Sequence, residues 1–232
     1  MIRKRGKIEK IPLYRIIMAR PRSISLELTS LLERGGLYTT ERLEELGFSR
    51  LIVWRNVREG KIIQFARGIF CAATALSEHG IGLAALTLFN PGAVVCLISA
   101  ARFHDLSNED PPSVWMAVDG SRFKKPLKTD DGIPAQTVWW RPEYLATGIE
   151  TRTLAGVPVR LTDPARTVVD LVRYRLKLGD EPAMKALHDY VRSGAPIGDL
   201  WDRAKDIGFL TSMEPFIRAA EEFKESIPAR GK

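Results

Sequence analysis

The sequence predicts an α+β protein in which a small helical domain with a hairpin precedes a mixed α+β domain that ends in helices. Residues 39–70 follow the order helix, tight turn, helix and hairpin. Residues 113–118 and 136–140 are rich in branched and aromatic side chains and are bounded by turn formers, as is typical of strands. From residue 182 onward, apolar residues recur with helical spacing.

Capping and breaking residues bound the first two helices of the small domain. One helix is predicted from Ser25 to Arg34, ending at Gly35-Gly36, and the next begins with Thr40 as its cap and stops at Gly47. A turn of about 100° per residue places leucines on the inner face of both helices. These are Leu26, Leu28, Leu31, Leu32, Leu43 and Leu46.

The third helix follows a short turn, with Ser49 as its predicted N-cap and Gly60 as its end. Helical spacing places Val53, Asn56 and Val57 on one side of it, facing the core. The opposite side carries Leu51, Arg55 and Arg58, with Trp54 at its flank.

A short hairpin comes directly after this helix. Residues 61–66 and 69–72 are predicted strands around the tight turn Arg67-Gly68. With the three helices, the hairpin completes the pattern of a winged helix-turn-helix, whose last helix enters the DNA major groove beside the hairpin, or wing. The sequence therefore predicts binding to double-stranded DNA.

Within this motif the predicted contacts divide by chemistry. Arginine can donate two hydrogen bonds to guanine, so Arg55 and Arg58 are predicted to contact bases, and Leu51 a thymine methyl group. The remaining contacts are predicted to go to phosphate or to support the reading face. These residues are Thr39, Thr40, Ser49, Arg50, Trp54, Lys61 and Arg67. The alternative interpretation is an ordinary solvated helix face on which Leu51 and Trp54 are half-buried packing residues.

The formal net charge of +7 belongs to the N-terminal tail. Residues 1–22 hold eight basic residues and one acidic residue, whereas residues 23–232 hold 27 of each. The tail is either a basic arm that adds salt-sensitive affinity or a solvated leader, and Met18 is an alternative start to Met1. The predicted domains are this tail, residues 23–74 for DNA binding, and residues 75–232.

The C-terminal domain alternates helical and extended segments. A helix over 75–89, an apolar element over 94–103, a loop over 108–112 and a hairpin over 148–159 accompany the two strands. The next helix begins at Thr162 or Asp163, with Val168, Val169, Leu171 and Val172 on its apolar side. Three further helices are predicted over 182–191, 197–207 and 213–223.

Composition argues against several classes of protein. The most apolar stretch, 81–101, is interrupted by Asn90-Pro91-Gly92, so no membrane span is predicted and the protein is expected in the cytoplasm. Cys71 and Cys96 lie in apolar surroundings without a paired motif, which favours buried free thiols. No metal, cofactor or catalytic residue is predicted, and the chain is not expected to be an enzyme.

The order of these segments resembles the AbiEi family of antitoxins from type IV bacterial toxin–antitoxin systems. The likeness spans almost everything after about residue 25, and three stretches carry it: residues 36–71, 97–104 and 156–170. The last, from Gly156 to Asp170, is the most specific. The chain departs from the family at Ala101, where a leucine is usual, and at Asp105, where a glycine often follows the histidine.

By this resemblance, the protein would repress its own operon by binding inverted repeats, with two copies per operator. The C-terminal domain would counter a nucleotidyltransferase-like toxin without necessarily forming a stable complex with it. Many related genes are solitary, so a repressor without a toxin is the alternative. Within the most specific stretch, Arg166 and Asp170 are predicted to form an internal ion pair or surface bridge, and His104 to be a packing residue.

Two rival functions follow from other residues. A metal-dependent nuclease needs clustered carboxylates with a lysine, for which Asp119 with Lys124 or Lys125 is the strand-end candidate. Glu59 with Lys61 and Glu222 with Lys224 have the Glu-x-Lys spacing of such sites, but the first pair lies at the end of the third helix and the second in a predicted helix. A ligand-responsive repressor would use an aromatic pocket. Its lining would be Trp115, Trp139 and Trp140.

Overall fold

The computed structural model describes residues 21–109, 111–122, 125–127 and 133–226. The chain has the predicted α+β class and divides into two compact units. Of the described residues, the first unit comprises those up to Leu88 together with Leu154–Val157, and the second comprises those within Phe89–Thr153 and from Pro158 onward. The basic tail, apart from its last two residues, and both candidate starts lie outside the described residues. The predicted boundary at Thr74 remains a prediction.

The first unit begins with three helices and a three-stranded antiparallel sheet. The strands lie in the order β1-β3-β2, and β1 was not anticipated from the sequence. A 3₁₀ turn at Ala73–Ser77 and helix α4 at Ile81–Phe89 follow, where a single helix was predicted. The preceding elements are α1 (Pro21–Glu33), β1 (Tyr38–Thr39), α2 (Thr40–Glu45), α3 (Arg50–Arg58), β2 (Ile63–Ala66) and β3 (Ile69–Cys71).

Helix α1 differs from its prediction in both start and inner face. It begins at Pro21 rather than Ser25, and Leu26 is 68% exposed instead of facing the core. Ile24, Leu28 and Leu32 are buried, because positions four residues apart share one face whereas Leu26 lies about 200° from Leu28. These side chains form one core with Leu43, Leu46, Phe48, Val53, Ile62 and Phe70.

The cap of α2 is Thr39, one residue before the predicted Thr40. Thr39 has extended backbone angles, and its hydroxyl accepts a hydrogen bond from the Arg42 N–H at 3.2 Å. The reason is that Thr39 is also the last residue of β1, whose pairing with Ile69 holds it extended. The predicted stop at Gly47 is confirmed, since this glycine has a φ of +95°.

The second unit is built on a mixed five-stranded sheet in the order β6-β5-β4-β8-β7. Strand β4 runs parallel to β8 and antiparallel to β5, and β5 runs parallel to β6. The predicted element over 94–103 is wrong as a single unit, because Leu97 turns the chain from β4 into a helix with a φ of +52°. The elements are β4 (Val94–Val95), α5 (Leu97–Phe103), β5 (Val114–Asp119), β6 (Ala135–Trp140), β7 (Ile149–Leu154) and β8 (Val157–Thr162).

Helices complete this unit after the sheet. Helix α6 begins at Pro164 with Asp163 as its cap, which decides between the two predicted caps. It packs against α5 and the next two helices, and its four predicted core residues are at most 1% exposed. The helices are α6 (Pro164–Leu178), α7 (Asp180–Arg192), α8 (Ile197–Asp206) and α9 (Leu210–Ser226). Within the described ranges, no helix combines the length and apolar character needed to cross a membrane.

Candidate nucleic-acid interface

Helix α3 presents two chemically different faces. Val53 and Asn56 are buried against the core of the first unit, whereas Leu51 on the opposite side is 80% exposed. Arg55 and Arg58 are also exposed, on the side predicted to contact bases. Single exposed leucines are common on protein surfaces, so Leu51 is informative here only because it lies beside Arg55 on the exposed face.

Eight of the ten predicted DNA-binding residues are solvent-exposed in and around this helix. They lie on α3, at its N-cap, just after it and in the hairpin turn. Residues Thr39 and Thr40 are only partly exposed. The exposed eight are Ser49, Arg50, Leu51, Trp54, Arg55, Arg58, Lys61 and Arg67.

Trp54 has a structural contact as well as an exposed surface. Its ring stands edge-on to Phe70 of β3, with the ring centroids 6.2 Å apart and the planes at 87°. The side chain is 46% exposed, so part of the indole remains open to a partner. Both interpretations of Trp54 therefore apply: it packs α3 against the sheet and it borders the exposed face.

Two of the cations predicted to contact phosphate are ion-paired with glutamates. The Arg50 Nε lies 2.6 Å from Glu44 Oε1, and the Lys61 ammonium lies 2.6 Å from a Glu59 carboxylate oxygen. The hydrogen bond and charge of Glu44 raise the pKa of Arg50. The hydrogen bond from Lys61 lowers the pKa of Glu59. Each glutamate would therefore compete with a phosphate for its cation.

Thr40 ties α2 to the tip of the hairpin. Its backbone N–H donates to the Gly68 carbonyl at 2.9 Å, and its hydroxyl donates to the same oxygen at 3.3 Å. Gly68 has a φ of +73°, which the tight turn after Arg67 requires. The hydroxyls of Thr39 and Thr40 are thus both engaged within the protein, and a phosphate contact from either would have to share them.

A polar contact beneath α3 was not predicted from the sequence. Ser25 of α1 and Asn56 of α3 are both buried, and the Ser25 hydroxyl donates to the Asn56 side-chain oxygen. The sequence placed Asn56 on the inner face but indicated no partner for it. A buried asparagine requires one, and a serine on a neighbouring helix was the signal available in the sequence.

In the second unit, Arg166 and Asp170 form the predicted ion pair internally, fully buried, with Nε 2.9 Å from Oδ2. The guanidinium also donates to the Thr147 carbonyl at 2.6 Å and lies 4.9 Å from the ring centre of Trp140. Burial, opposed by Arg166, raises the pKa of Asp170 to about 6. This pair joins α6 to the chain after β6 and has no exposed surface for a substrate.

His104 is a packing residue, as predicted. Its Nε2 lies 2.7 Å from the carbonyl oxygen of Thr162, and its ring contacts Phe103 edge-on. Cys71 and Cys96 are both buried as predicted, and burial raises the pKa of the Cys71 thiol to about 11. A thiol of that pKa is almost entirely protonated at neutral pH and is a poor nucleophile.

Asp119, the strand-end candidate of the nuclease alternative, is bonded within its own loop. The Asp119 carboxylate accepts hydrogen bonds from the Ser121 backbone and hydroxyl, and it pairs with Arg122 at 3.4 Å. Glu222 and Lys224 are exposed on α9. Among the residues that the structure describes, no three His, Cys, Asp or Glu side chains come together to hold a metal ion. Lys124 lies outside the described residues.

The proposed aromatic pocket is not formed by the three tryptophans together. Trp139 is 49% exposed and Trp140 is 4% exposed, because consecutive residues of a strand point to opposite faces of the sheet. The indole N–H of Trp140 donates to the Tyr174 hydroxyl at 3.0 Å, within the core of the unit. Trp115 lies beneath Lys177, whose ammonium is 5.6 Å from its ring centre.

No protein-family model matches the chain, and no curated protein matches it significantly.

Proposed function

We propose that the first unit is a winged helix-turn-helix that binds double-stranded DNA through α3. In this arrangement Arg55 and Arg58 contact base edges in the major groove and Leu51 contacts a thymine methyl group. The hairpin formed by β2 and β3 is the wing, and Arg67 at its turn lies beside the DNA backbone. Arg50 and Lys61 contact phosphates at the two ends of the helix.

One observation carries this proposal: α3 buries Val53 and Asn56 while exposing Leu51, Arg55 and Arg58 on the opposite side. Exposed arginines alone are common on solvated helices, so the proposal depends on their combination with the exposed leucine and the hairpin. Here, basic residues and a leucine occupy the outer face, directly before a hairpin with an exposed arginine at its turn. Donors for guanine, an apolar contact for thymine and cations for phosphate are thus supplied by one contiguous stretch of chain.

The biological role that we propose is an antitoxin-type repressor of the AbiEi kind. Two copies would bind inverted repeats and repress the operon, and the second unit would counter a nucleotidyltransferase-like toxin. Two features of the chain support the likeness. The stretch 156–170 forms the β8–α6 junction around the buried Arg166–Asp170 pair. Asp105 has a φ of +58°, a conformation that suits the glycine often found there in the family.

The DNA-binding proposal is tested by selecting ligands from random double-stranded DNA with the purified full chain. We expect an inverted repeat whose half-sites are one helical turn, or a multiple of it, apart, and a footprint that covers both. The double variant Arg55→Ala/Arg58→Ala should recover no motif. Recovery of unrelated sequences by the wild-type chain would contradict sequence-specific binding.

The antitoxin proposal needs a separate experiment. If a nucleotidyltransferase-like gene adjoins this one, its induced expression should arrest growth, and co-expression of the full chain should restore it. The variant Arg55→Ala/Arg58→Ala should restore growth equally well, because the second unit carries this activity. Failure of the wild-type chain to restore growth would leave a solitary repressor, the alternative function.

A further inference from the structure

The DNA-facing helix is joined to α1 by a buried polar contact between Ser25 and Asn56. Asn56 is fully buried and Ser25 is 5% exposed. The Ser25 hydroxyl donates to the Asn56 side-chain oxygen, and the Asn56 side-chain amide donates to the Ile52 carbonyl at 2.8 Å. The amide of Asn56 is therefore bonded on both its oxygen and its nitrogen.

The core around α1 and α3 is otherwise apolar, and apolar packing does not fix the rotation of one helix against the other. Leu28 and Leu32 of α1 and Val53 of α3 belong to the same core. Apolar packing depends on the area removed from water and tolerates small rotations of one helix against another. A hydrogen bond to a buried amide does not tolerate such movement, because rotation or sliding of α3 would leave that amide without its partner.

The rotation of α3 about its axis controls where its outer side chains lie. Arg55 precedes Asn56 by one residue and Arg58 follows it by two, so both are fixed to the same turn of helix. With side chains at about 5 to 6 Å from the axis, a rotation of about 20° moves their ends by about 2 Å. Selective hydrogen bonding to a base requires placement within about 0.5 Å.

We infer that Asn56, held by Ser25, is a positioning residue that determines the sequence selectivity of the protein. It contacts no DNA itself, and it acts by fixing the rotation of α3, so that Arg55 and Arg58 meet base edges. This inference rests on the proposed DNA-binding function. Loss of the contact should therefore reduce the preference for the selected sequence while leaving the attraction to phosphate unchanged.

The test compares Ser25→Ala with Ser25→Thr in the full chain. Threonine keeps the hydroxyl donor and alanine removes it, whereas both leave Asn56 in place. Dissociation constants are measured by fluorescence anisotropy for the selected sequence and for a scrambled duplex of the same length. We expect Ser25→Ala to lower the ratio of the dissociation constant for scrambled DNA to that for the selected sequence at least tenfold. The constant for scrambled DNA and the salt slope should not change. Ser25→Thr should keep the ratio of the wild-type chain.

Two further variants separate positioning from loss of stability. Val53→Ala weakens the same core but leaves the Ser25–Asn56 contact, so it should lower the melting temperature without changing selectivity below the transition. Ser25→Ala/Asn56→Leu makes the contact apolar, and it should remain folded while losing selectivity. If Ser25→Ala or Ser25→Ala/Asn56→Leu kept the selectivity of the wild-type chain, the inference would be overturned. A wild-type chain that does not distinguish the two duplexes would instead contradict the proposed function.

Discussion

Arg50 at the first turn of α3 is held by Glu44 of α2, with Nε 2.6 Å from Oε1 and Nη2 3.4 Å from Oε2. Lys61, just after the end of the same helix, is paired with Glu59 by one contact, with Nζ 2.6 Å from Oε2. Both side chains of the first pair are at least 40% exposed, so the pair contributes little to stability. A phosphate could displace either glutamate, but the carboxylate would remain nearby and oppose the DNA backbone.

Glu44→Gln and Glu59→Gln are each expected to increase affinity for DNA of any sequence about twofold to fivefold at low salt. The reason is that each substitution removes a negative charge beside a cation proposed to contact phosphate, and such exposed pairs are weak. Affinities for selected and scrambled duplexes should rise together. Glu214→Gln, which removes the partner of Arg218 in the second unit, serves as the control and should change neither. Weaker binding by Glu44→Gln would mean that the pair orders Arg50 for DNA.

Arg55→Ala and Arg58→Ala are each expected to weaken binding to the selected sequence by about 1 to 3 kcal/mol and to relax preference at one base pair. Both side chains are exposed on α3 opposite Val53, so little loss of stability should accompany the change. The measurement is a competition titration against duplexes with single base-pair changes. Arg218→Ala is the control. Equal losses on selected and scrambled DNA would contradict base contact by these arginines.

Lys61→Ala is expected to weaken binding to all duplexes alike and to reduce the slope of log K against log salt by about one, as loss of one phosphate contact does. Its ammonium lies just beyond α3 and is not directed by packing, since the residue is exposed. Affinities measured between 50 and 300 mM salt, compared with the wild-type chain, give the slope. An unchanged slope would place Lys61 away from the backbone.

The sequence predicted the two faces of α3 well, because which side chains share a face of a helix depends only on their spacing along the chain. Val53 and Asn56 face inward and Leu51, Arg55 and Arg58 outward, as spacing of about 100° per residue requires. The partner of Asn56 could not be predicted, because Ser25 lies 31 residues earlier and the contact depends on how α1 crosses α3. Local periodicity carries no information about such crossings.

Turns between elements were harder to predict than the elements. The strand β1 has only two residues and exists because it pairs with β3, some thirty residues later. Leu97 adopts a left-handed conformation that its residue type disfavours, so β4 and α5 were predicted as one element. The placement of Trp139 and Trp140 in one pocket was likewise wrong, because consecutive residues of β6 point to opposite faces of the sheet.

Thr39→Ala is expected to lower the free energy of unfolding by about 0.5 to 2 kcal/mol, because Thr39 rather than Thr40 caps α2. Thr40→Ala removes only a long hydrogen bond to a carbonyl that the Thr40 backbone already satisfies, so it should cost less. Urea denaturation of both variants and the wild-type chain provides the comparison. A larger loss of unfolding free energy for Thr40→Ala would indicate that Thr40, the cap predicted from the sequence, caps α2.

Asp170 gives the stability of the second unit an unusual dependence on pH. Burial raises its pKa in the folded chain to about 6, against the attraction of Arg166, whereas an unfolded chain has a value near 4. Between pH 4 and pH 6, Asp170 is therefore protonated more often in the folded chain than in the unfolded chain. The contribution of Asp170 to stability therefore falls as pH rises from about 4 to about 6, and it is constant above that range.

Asp170→Asn removes this titration while keeping the shape of the side chain. The free energy of unfolding of the wild-type chain minus that of the variant should therefore decrease by about 2 to 3 kcal/mol between pH 4 and pH 6.5, and then level off. Denaturant titrations at a series of pH values measure the difference, in which the contributions of other carboxylates cancel. Asp189→Asn, at a carboxylate whose pKa is lowered because hydrogen bonds from Lys185 and His188 outweigh its burial, should show no such decrease. A difference that grows with pH would mean that attraction to Arg166 exceeds the cost of burial, because the ionised carboxylate would then be the preferred form in the folded chain.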